Sequence, residues 1–113
     1  MSTDVIDRFV AAWLRGDLAA VLDFLTDDIV YTNAGTQGQA TTYRGRDEVA
    51  AAFANQVGDD PDLTLGPVLA CGDRAFSEWT YKPAADGTVL RGVDVYTLRE
   101  GRIAAKDVFG KIA

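Results

Sequence analysis

The dipeptide Glu-Gly at positions 100–101 separates two stretches that both have the composition of β-strands. On each side of it the chain is rich in β-branched and aromatic residues, which favour extended backbone. If these two residues form the whole loop, Leu98 lies opposite Ile103 and Asp94 lies opposite Asp107. The pattern therefore predicts an antiparallel hairpin that carries two carboxyl groups on one face.

Helical patterns come before most of the strands along the chain. The spacing of apolar residues predicts amphipathic helices over residues 4–15, 18–25 and 45–57. Strands are predicted over residues 29–33, 63–70, 74–81, 88–98 and 102–109, with a loop over residues 34–44. Helices followed by antiparallel strands are typical of an α+β domain. A curved sheet that wraps over the first helix would enclose one apolar pocket.

Length and charge limit the classes of protein to consider. The 113 residues suffice for one domain, residues 1–113, and the net charge of −6 disfavours binding to nucleic-acid phosphates. No apolar run approaches the roughly 18 residues of a membrane helix, and the N-terminus lacks a basic and apolar leader. We therefore expect a cytoplasmic protein with no nucleic-acid or membrane partner. Cys71, the single cysteine, is interpreted as a small buried residue.

Histidine is absent from the chain. This removes the commonest metal ligand and the usual general base. One cysteine without histidine argues against a zinc site. We expect no metal and no cofactor, so any catalysis would use carboxylates, tyrosines, amides or bound water.

The predicted pairing of Asp94 with Asp107 has a chemical consequence. Directly paired residues have Cβ atoms about 4.5–5.5 Å apart, and two carboxyl groups that close, away from water, do not both ionise easily. One would keep its proton and act as a donor, while the other would act as a base. The alternative is a three-residue loop with Gly101 at a bulge. Asp94 would then pair with Lys106, and Asp107 would turn to the other face.

Seven short segments, taken together in their order and spacing, resemble the nuclear transport factor 2-like (NTF2-like) superfamily. The branch is that of SnoaL-like proteins, ketosteroid isomerases and limonene epoxide hydrolases. The segments are Asp7–Trp13, Gly16–Leu18, Asp27–Tyr31, Tyr43–Val49, Val93–Tyr96, Gly101–Ile103 and Asp107–Gly110. The resemblance implies a cone-shaped, cystatin-like fold in which a curved antiparallel or mixed sheet wraps around three N-terminal helices. It also implies homodimers formed through an exposed apolar outer face of the sheet that includes Phe76 and Val108.

Within this branch, the resemblance to the ketosteroid isomerases falls on Asp94. It matches their aspartic acid that stays protonated and donates to an oxyanion. Phe9 stands where these enzymes have a tyrosine donor, and Asn33 where they have the aspartate base. The missing groups disfavour steroid isomerisation by the family's route.

The epoxide hydrolases and polyketide cyclases point to other residues. Tyr31 and Asn33 match the pair that holds the nucleophilic water in the epoxide hydrolases. Asp107 matches their last-strand aspartate, provided that this chain lacks one bulge residue found there. The arginine and aspartate of their middle strand are not reproduced. In SnoaL-like polyketide cyclases, an aspartate such as Asp107 is the acid–base group.

These patterns predict a protein that binds a small, largely apolar molecule bearing an oxygen group. We expect an acid–base enzyme of the isomerase, polyketide-cyclase or epoxide hydrolase/hydratase type, with Asp94, Asp107, Asn33 and Tyr31 as candidate catalytic residues. The candidate substrate-binding residues are Phe9, Trp13, Phe53, Trp79, Tyr81, Tyr96 and Phe109. The alternative is a non-catalytic ligand-binding or dimerisation module of the same fold.

Overall fold

The computed structural model describes residues 3–34, 39–82 and 87–113. Its three helices are α1 (Asp4–Leu14), α2 (Leu18–Asp23) and α3 (Gly45–Phe53). Asp17 caps the N-terminus of α2, because its side-chain Oδ1 accepts a hydrogen bond from the Ala20 N–H at 3.1 Å. The helices therefore lie where the apolar spacing predicted them, although α3 ends four residues earlier than expected.

Six strands form one mixed sheet. They are β1 (Leu25–Thr32), β2 (Thr42–Arg44), β3 (Leu63–Cys71), β4 (Arg74–Tyr81), β5 (Leu90–Arg99) and β6 (Arg102–Ile112). Their order across the sheet is β2-β1-β6-β5-β4-β3. All neighbours are antiparallel except β1 and β6, which are parallel. The sheet is curved and open, so the predicted α+β, cystatin-like and NTF2-like fold class is confirmed.

One face of the sheet packs on the helices and forms the core. The α1 stripe buries Ile6, Phe9 and Ala12, and Phe9 meets the ring of Tyr96 on β5 with centroids 6.1 Å apart. Phe53 of α3 is fully buried. The aromatic side chains of the helices and of the sheet therefore surround the same interior space.

Two boundaries in the first half of the chain differ from the prediction. Leu25 was assigned to the second helix, but it is the first residue of β1, is fully buried and pairs with Ile103 of β6. The strand β2 was predicted as part of a loop and pairs with β1 from Val30 to Thr32. Both strands form because a neighbouring strand supplies backbone hydrogen bonds, and such long-range pairing overrides local pattern.

The β5–β6 hairpin has the predicted two-residue loop, since Leu98 pairs with Ile103. The register then shifts by one residue, because Thr97 pairs with Ala105 and leaves Ala104 unpaired. Such a bulge bends a strand and strengthens its twist. It lies in β6, a central strand of the sheet, where it contributes to the curvature over the helices.

The bulge overturns the predicted pair of carboxyl groups. Asp94 pairs with Val108, while Asp107 pairs with Val95. Because neighbouring residues of a strand point to opposite faces, Asp107 lies on the outer face of the sheet. Lys106 takes its place on the inner face. The two aspartates therefore do not share a proton, and a lysine–aspartate ion pair replaces them.

One other expectation is wrong, and two others concern residues that the structure does not describe in full. Cys71 ends β3 and is exposed, so it is not a buried residue of the core. Part of the predicted loop over residues 34–44, and most of the turn before β5, lie outside the described residues. Among the residues that the structure describes, no helix is long and apolar enough to cross a membrane.

Candidate functional site

A pocket of about 450 Å³ lies between α1 and the inner face of the sheet. Most of its wall is apolar, with Val10 and Trp13 from α1 facing side chains of the strands. The apolar residues that the strands contribute are Leu63, Leu65, Val68, Leu90 and Val108. A pocket of this size with a mostly apolar wall and few polar groups is typical of small-molecule sites.

The polar groups of the pocket converge on Asp94. Its Oδ1 accepts a hydrogen bond from the Trp79 Nε1–H at 3.0 Å, and its Oδ2 accepts one from the Tyr96 hydroxyl at 3.2 Å. The Lys106 Nζ lies 3.3 Å from the same Oδ2. Both carboxylate oxygens are therefore engaged, by donors from β4, β5 and β6.

Lys106 is a nearly buried cation, with 7% of its surface exposed. Its Nζ lies 5.0 Å from the centroid of the Tyr31 ring, 5.5 Å from that of Trp13 and 5.8 Å from that of Phe53. Aromatic faces attract a cation at these distances. The carboxylate of Asp94 and three aromatic rings thus compensate for the water that the ammonium group has lost.

Trp79 reaches Asp94 because two neighbouring positions have no side chain. Trp79 pairs with Gly92 of β5, and Gly92 pairs with Gly110 of β6. A Cβ atom at Gly92 would overlap the indole ring, and one at Gly110 would lie 3.1 Å from its Cη2. The ring therefore occupies space that only glycine leaves open.

Tyr96 extends the polar network away from Lys106. Its hydroxyl lies 3.5 Å from the Ser77 Oγ, which donates to it, and it donates to Asp94. Burial, followed by the negative charge of Asp94, raises the pKa of Tyr96 well above its ordinary value. Tyr96 is therefore a hydrogen-bond donor throughout the physiological pH range.

Tyr31 closes another part of the wall. Its hydroxyl donates to the Gln56 Oε1 at 3.3 Å, and its ring stacks on that of Tyr43 with centroids 5.6 Å apart. Burial raises the pKa of Tyr31, and the hydrogen bond with Gln56 opposes part of this shift. The two hydrogen-bonded side chains hold this wall of the pocket together.

The structure places the four candidate catalytic residues in different surroundings. Asp94 and Tyr31 line the pocket, whereas Asp107 and Asn33 are not among its lining residues. The Asn33 Oδ1 accepts a hydrogen bond from the Thr41 N–H at 3.0 Å. Asn33 therefore holds the backbone where the chain leaves β1.

Five of the seven candidate substrate-binding residues line the pocket: Phe9, Trp13, Trp79, Tyr81 and Tyr96. Phe53 lies behind the wall, in contact with the rings of Trp13 and Tyr31. Phe109 lies on the outer face of the sheet, where its surface is 54% exposed. The bulge in β6 explains this position, because Phe109 has the same parity as Asp107.

The pocket is also lined by Lys106, Ser77 and Gln56, which are not among the site residues predicted from the sequence. Lys106 appeared only in the alternative hairpin, as the partner of Asp94. That alternative was wrong about the register, since Asp94 pairs with Val108 and Lys106 with Tyr96, but it correctly expected a salt bridge between Asp94 and Lys106. The local sequence carries no signal for Lys106, because a lysine between Ala105 and Asp107 in a strand is consistent with either face of the sheet.

A curved six-stranded mixed sheet with three helices defines an α+β protein of the cystatin-like, NTF2-like class. A family model described as a SnoaL-like domain matches residues 6–106. The chain therefore belongs to the SnoaL-like family of the NTF2-like superfamily, which includes ketosteroid isomerases and cyclases. No functionally curated protein matches it in sequence.

Solved structures are similar to this chain over nearly its whole length. An NTF2-like protein of unknown function from Mesorhizobium loti is 24% identical, with a TM-score of 0.80 over 96% of this chain and 88% of that chain. A candidate ketosteroid isomerase from Kribbella flavida is 18% identical, with a TM-score of 0.76 over 97% of this chain and 77% of that chain. A cystatin-like protein from Silicibacter pomeroyi is 24% identical, with a TM-score of 0.76 over 95% of this chain and 73% of that chain. At these identities the similarity shows the fold alone.

Proposed function

We propose that the protein binds a small, largely apolar molecule with one oxygen-bearing end, and that the ion pair of Lys106 and Asp94 binds that end. The observation that carries the proposal is a buried ion pair at the wall of an apolar pocket of about 450 Å³. A buried ion pair by itself adds little stability to a protein core. Binding of a ligand oxygen would explain why the pair is present.

Lys106 is the group most able to accept a ligand. An ammonium group has three N–H donors, and Asp94 takes one of them. The aromatic rings around Lys106 attract its charge but accept no conventional hydrogen bond. A carbonyl, epoxide or hydroxyl oxygen would therefore accept an N–H of Lys106, while the body of the ligand packs on Phe9 and Trp13.

The chemistry that fits this arrangement is proton transfer next to a carbonyl group. Asp94 would take a proton from the carbon next to the carbonyl group while Lys106 transfers one to the carbonyl oxygen, which gives an enol, a protonated Asp94 and a neutral Lys106. Positioned acid–base groups of this kind contribute about 10²–10⁴-fold in rate. This reaction type includes isomerisation and aldol-type cyclisation, and the lysine takes the donor role that was predicted for a protonated aspartate.

The engaged oxygens of Asp94 favour a second candidate, a non-catalytic ligand-binding protein. Trp79 occupies Oδ1, while Tyr96 and Lys106 occupy Oδ2. A carboxylate has about four acceptor sites, so a substrate C–H must reach the remaining site on Oδ1 or displace one of these donors. If neither happens, the ion pair binds the ligand without reacting with it.

Ligand binding is tested with matched pairs of compounds. Steroid-, terpene- and polyketide-like ketones are each compared with the hydrocarbon that lacks the oxygen, by thermal shift and calorimetry. We expect the ketone of at least one pair to bind about tenfold more tightly, and Lys106→Met to remove this preference. Arg99→Met, which breaks an exposed ion pair with Asp28, is the matched control. Equal binding of ketone and hydrocarbon throughout would contradict the proposal.

Catalysis is tested without knowledge of the product. For each ketone that binds, exchange of the α-hydrogens for deuterium is followed by NMR in D₂O. Proton abstraction predicts enzyme-dependent exchange that Asp94→Asn abolishes while the ketone still binds. Binding with no exchange would support the non-catalytic candidate.

A second copy of the chain is the proposed partner. The outer face of the sheet carries a strip of apolar side chains in which Leu69 pairs with Phe76, Phe76 with Val95, and Val93 with Phe109. Leu69 and Phe109 are both more than half exposed, and contiguous apolar surface of this kind is typical of interfaces. Val108, which was expected here, faces the pocket instead. We expect light scattering to give the mass of a dimer for the wild type and that of a monomer for Phe109→Lys.

The expected cytoplasmic location stays a prediction. Fractionation of cells that express the protein would test it.

A further inference from the structure

We infer that Trp79 is a positioning residue, which fixes the orientation of the Asp94 carboxylate, and that Gly92 and Gly110 exist at their positions to admit its indole ring. The inference deepens the proposed function and rests on it for the ligand. Its structural half concerns the protein alone.

The hydrogen bonds of Asp94 are unevenly divided. Tyr96 and Lys106 both contact Oδ2, whereas Oδ1 has the indole N–H of Trp79 at 3.0 Å. A carboxylate held at one oxygen can turn about its Cβ–Cγ bond. The contact at Oδ1 restricts this rotation, so Trp79 fixes the plane of the carboxylate and hence the direction in which Oδ2 meets the lysine ammonium group.

The glycines explain how a large ring reaches this position. Trp79, Gly92 and Gly110 are neighbours across three strands, where any larger side chain would stand on the inner face. A Cβ at Gly92 would overlap both the indole and the Phe109 carbonyl oxygen. At Gly110 it would lie 3.1 Å from Cη2, at the far end of the ring. The neighbouring backbone leaves the ring little freedom to move.

Glycine inside a strand weakens it, because glycine loses more backbone entropy and packs no side chain. Two adjacent glycines in the central strands are therefore unfavourable for the sheet alone. Neither has a backbone φ in the left-handed region, so turn geometry does not require them. The space that they leave for Trp79 is the physical reason for their presence.

The first test uses no ligand. The chain has two tryptophans, so Trp13→Phe assigns the indole N–H resonances in a ¹H–¹⁵N spectrum. We expect the Trp79 indole proton to exchange slowly with solvent, and its resonance to move in Asp94→Asn. Gly92→Ala should shift this resonance strongly and Gly110→Ala weakly, because a Cβ atom at Gly92 would overlap the indole ring whereas one at Gly110 would lie 3.1 Å from it. A Trp79 indole that exchanges at the rate of a free tryptophan would overturn the inference.

The second test measures binding selectivity. Trp79→Phe keeps an aromatic ring but removes the N–H. We expect the affinity for a ketone to fall about tenfold more than the affinity for its hydrocarbon, because both ligands lose the same part of the apolar wall and only the ketone depends on the polar end of the pocket. An equal loss for both ligands would show a merely structural role and overturn the inference. If the wild type prefers no ketone, the proposed function fails, and the exchange of the indole proton still decides the positioning of Asp94.

Discussion

The Lys106 Nζ lies 3.3 Å from the Asp94 Oδ2, and both side chains are at least 85% buried. The other ion pairs between described residues include exposed carboxylates, such as Asp28, which pairs with Arg99 at the end of the β5–β6 hairpin. Water screens the charges of an exposed ion pair strongly, whereas each charge of a buried pair depends on the other to compensate for its lost hydration. The molecule thus offers an internal and an external ion pair for direct comparison.

Breaking the internal pair should destabilise the fold. We expect Lys106→Met and Asp94→Asn each to lower the free energy of unfolding by about 3–5 kcal/mol, since each leaves a buried group without its partner. The double variant should lose much less than the sum, because both uncompensated groups are then absent. Urea unfolding of the four proteins measures this coupling.

The pair of Asp28 and Arg99 is the control for that cycle. Asp28→Asn and Arg99→Met should change stability little, because both side chains are exposed. Additive effects for Asp94 and Lys106 would contradict a buried, coupled pair.

The raised pKa of Tyr96 predicts that the folded protein loses stability at high pH. Burial and the Asp94 charge raise its pKa in the folded protein above the ordinary value of 10.0, so the folded state keeps the proton to a higher pH than the unfolded chain. The stabilising contribution is complete below pH 10.0 and is lost as the pH rises through the folded value. Thermal unfolding should therefore show a steeper decline above this pH for the wild type than for Tyr96→Phe. Equal slopes would be incompatible with a buried, protonated Tyr96.

Substitutions of Asp94 and Asp107, which were predicted to pair, should differ in their effects on ligand binding. Asp94→Asn should weaken ketone binding about tenfold, because it alters the ion pair in the pocket. Asp107→Asn should leave binding unchanged, since the residue faces outward beside Val95. Titration calorimetry of the two variants with the same ketone makes the comparison. Similar losses for both would return Asp107 to the site and contradict the bulged register.

Asn33 should act on stability and not on binding. Its side chain accepts the Thr41 N–H, and loss of such a local hydrogen bond costs about 1 kcal/mol. Asn33→Ala should therefore lower the free energy of unfolding by roughly that amount with ligand affinity unchanged. Asn33→Asp, which keeps an acceptor, should recover most of the stability. A selective loss of affinity in Asn33→Ala would restore the predicted catalytic role.

Features decided by local sequence were predictable. The apolar stripe of α1 and the loop between Leu98 and Ile103 each depend on residues a few positions apart. The aromatic wall was largely predictable too, since Phe9, Trp13 and Tyr96 alternate or repeat in phase with their elements. The prediction was wrong for Phe53, which lies behind the pocket wall, and for Phe109, which the bulge in β6 places on the outer face. Neither position follows from residues nearby in the sequence.

The hairpin shows why the remainder needed the tertiary structure. Turn chemistry correctly set the loop at positions 100–101, but the unpaired Ala104 follows from β6 having to pair with both β1 and β5 in a curved sheet. Its own side chain carries no signal for a bulge. Because side chains alternate along a strand, that single extra residue turned Asp107 outward and brought Lys106 beside Asp94. Amino-acid order alone was thus sufficient for the fold class and for Asp94 in the pocket, while the partner of Asp94 depended on sheet curvature, which arises only when distant strands pair.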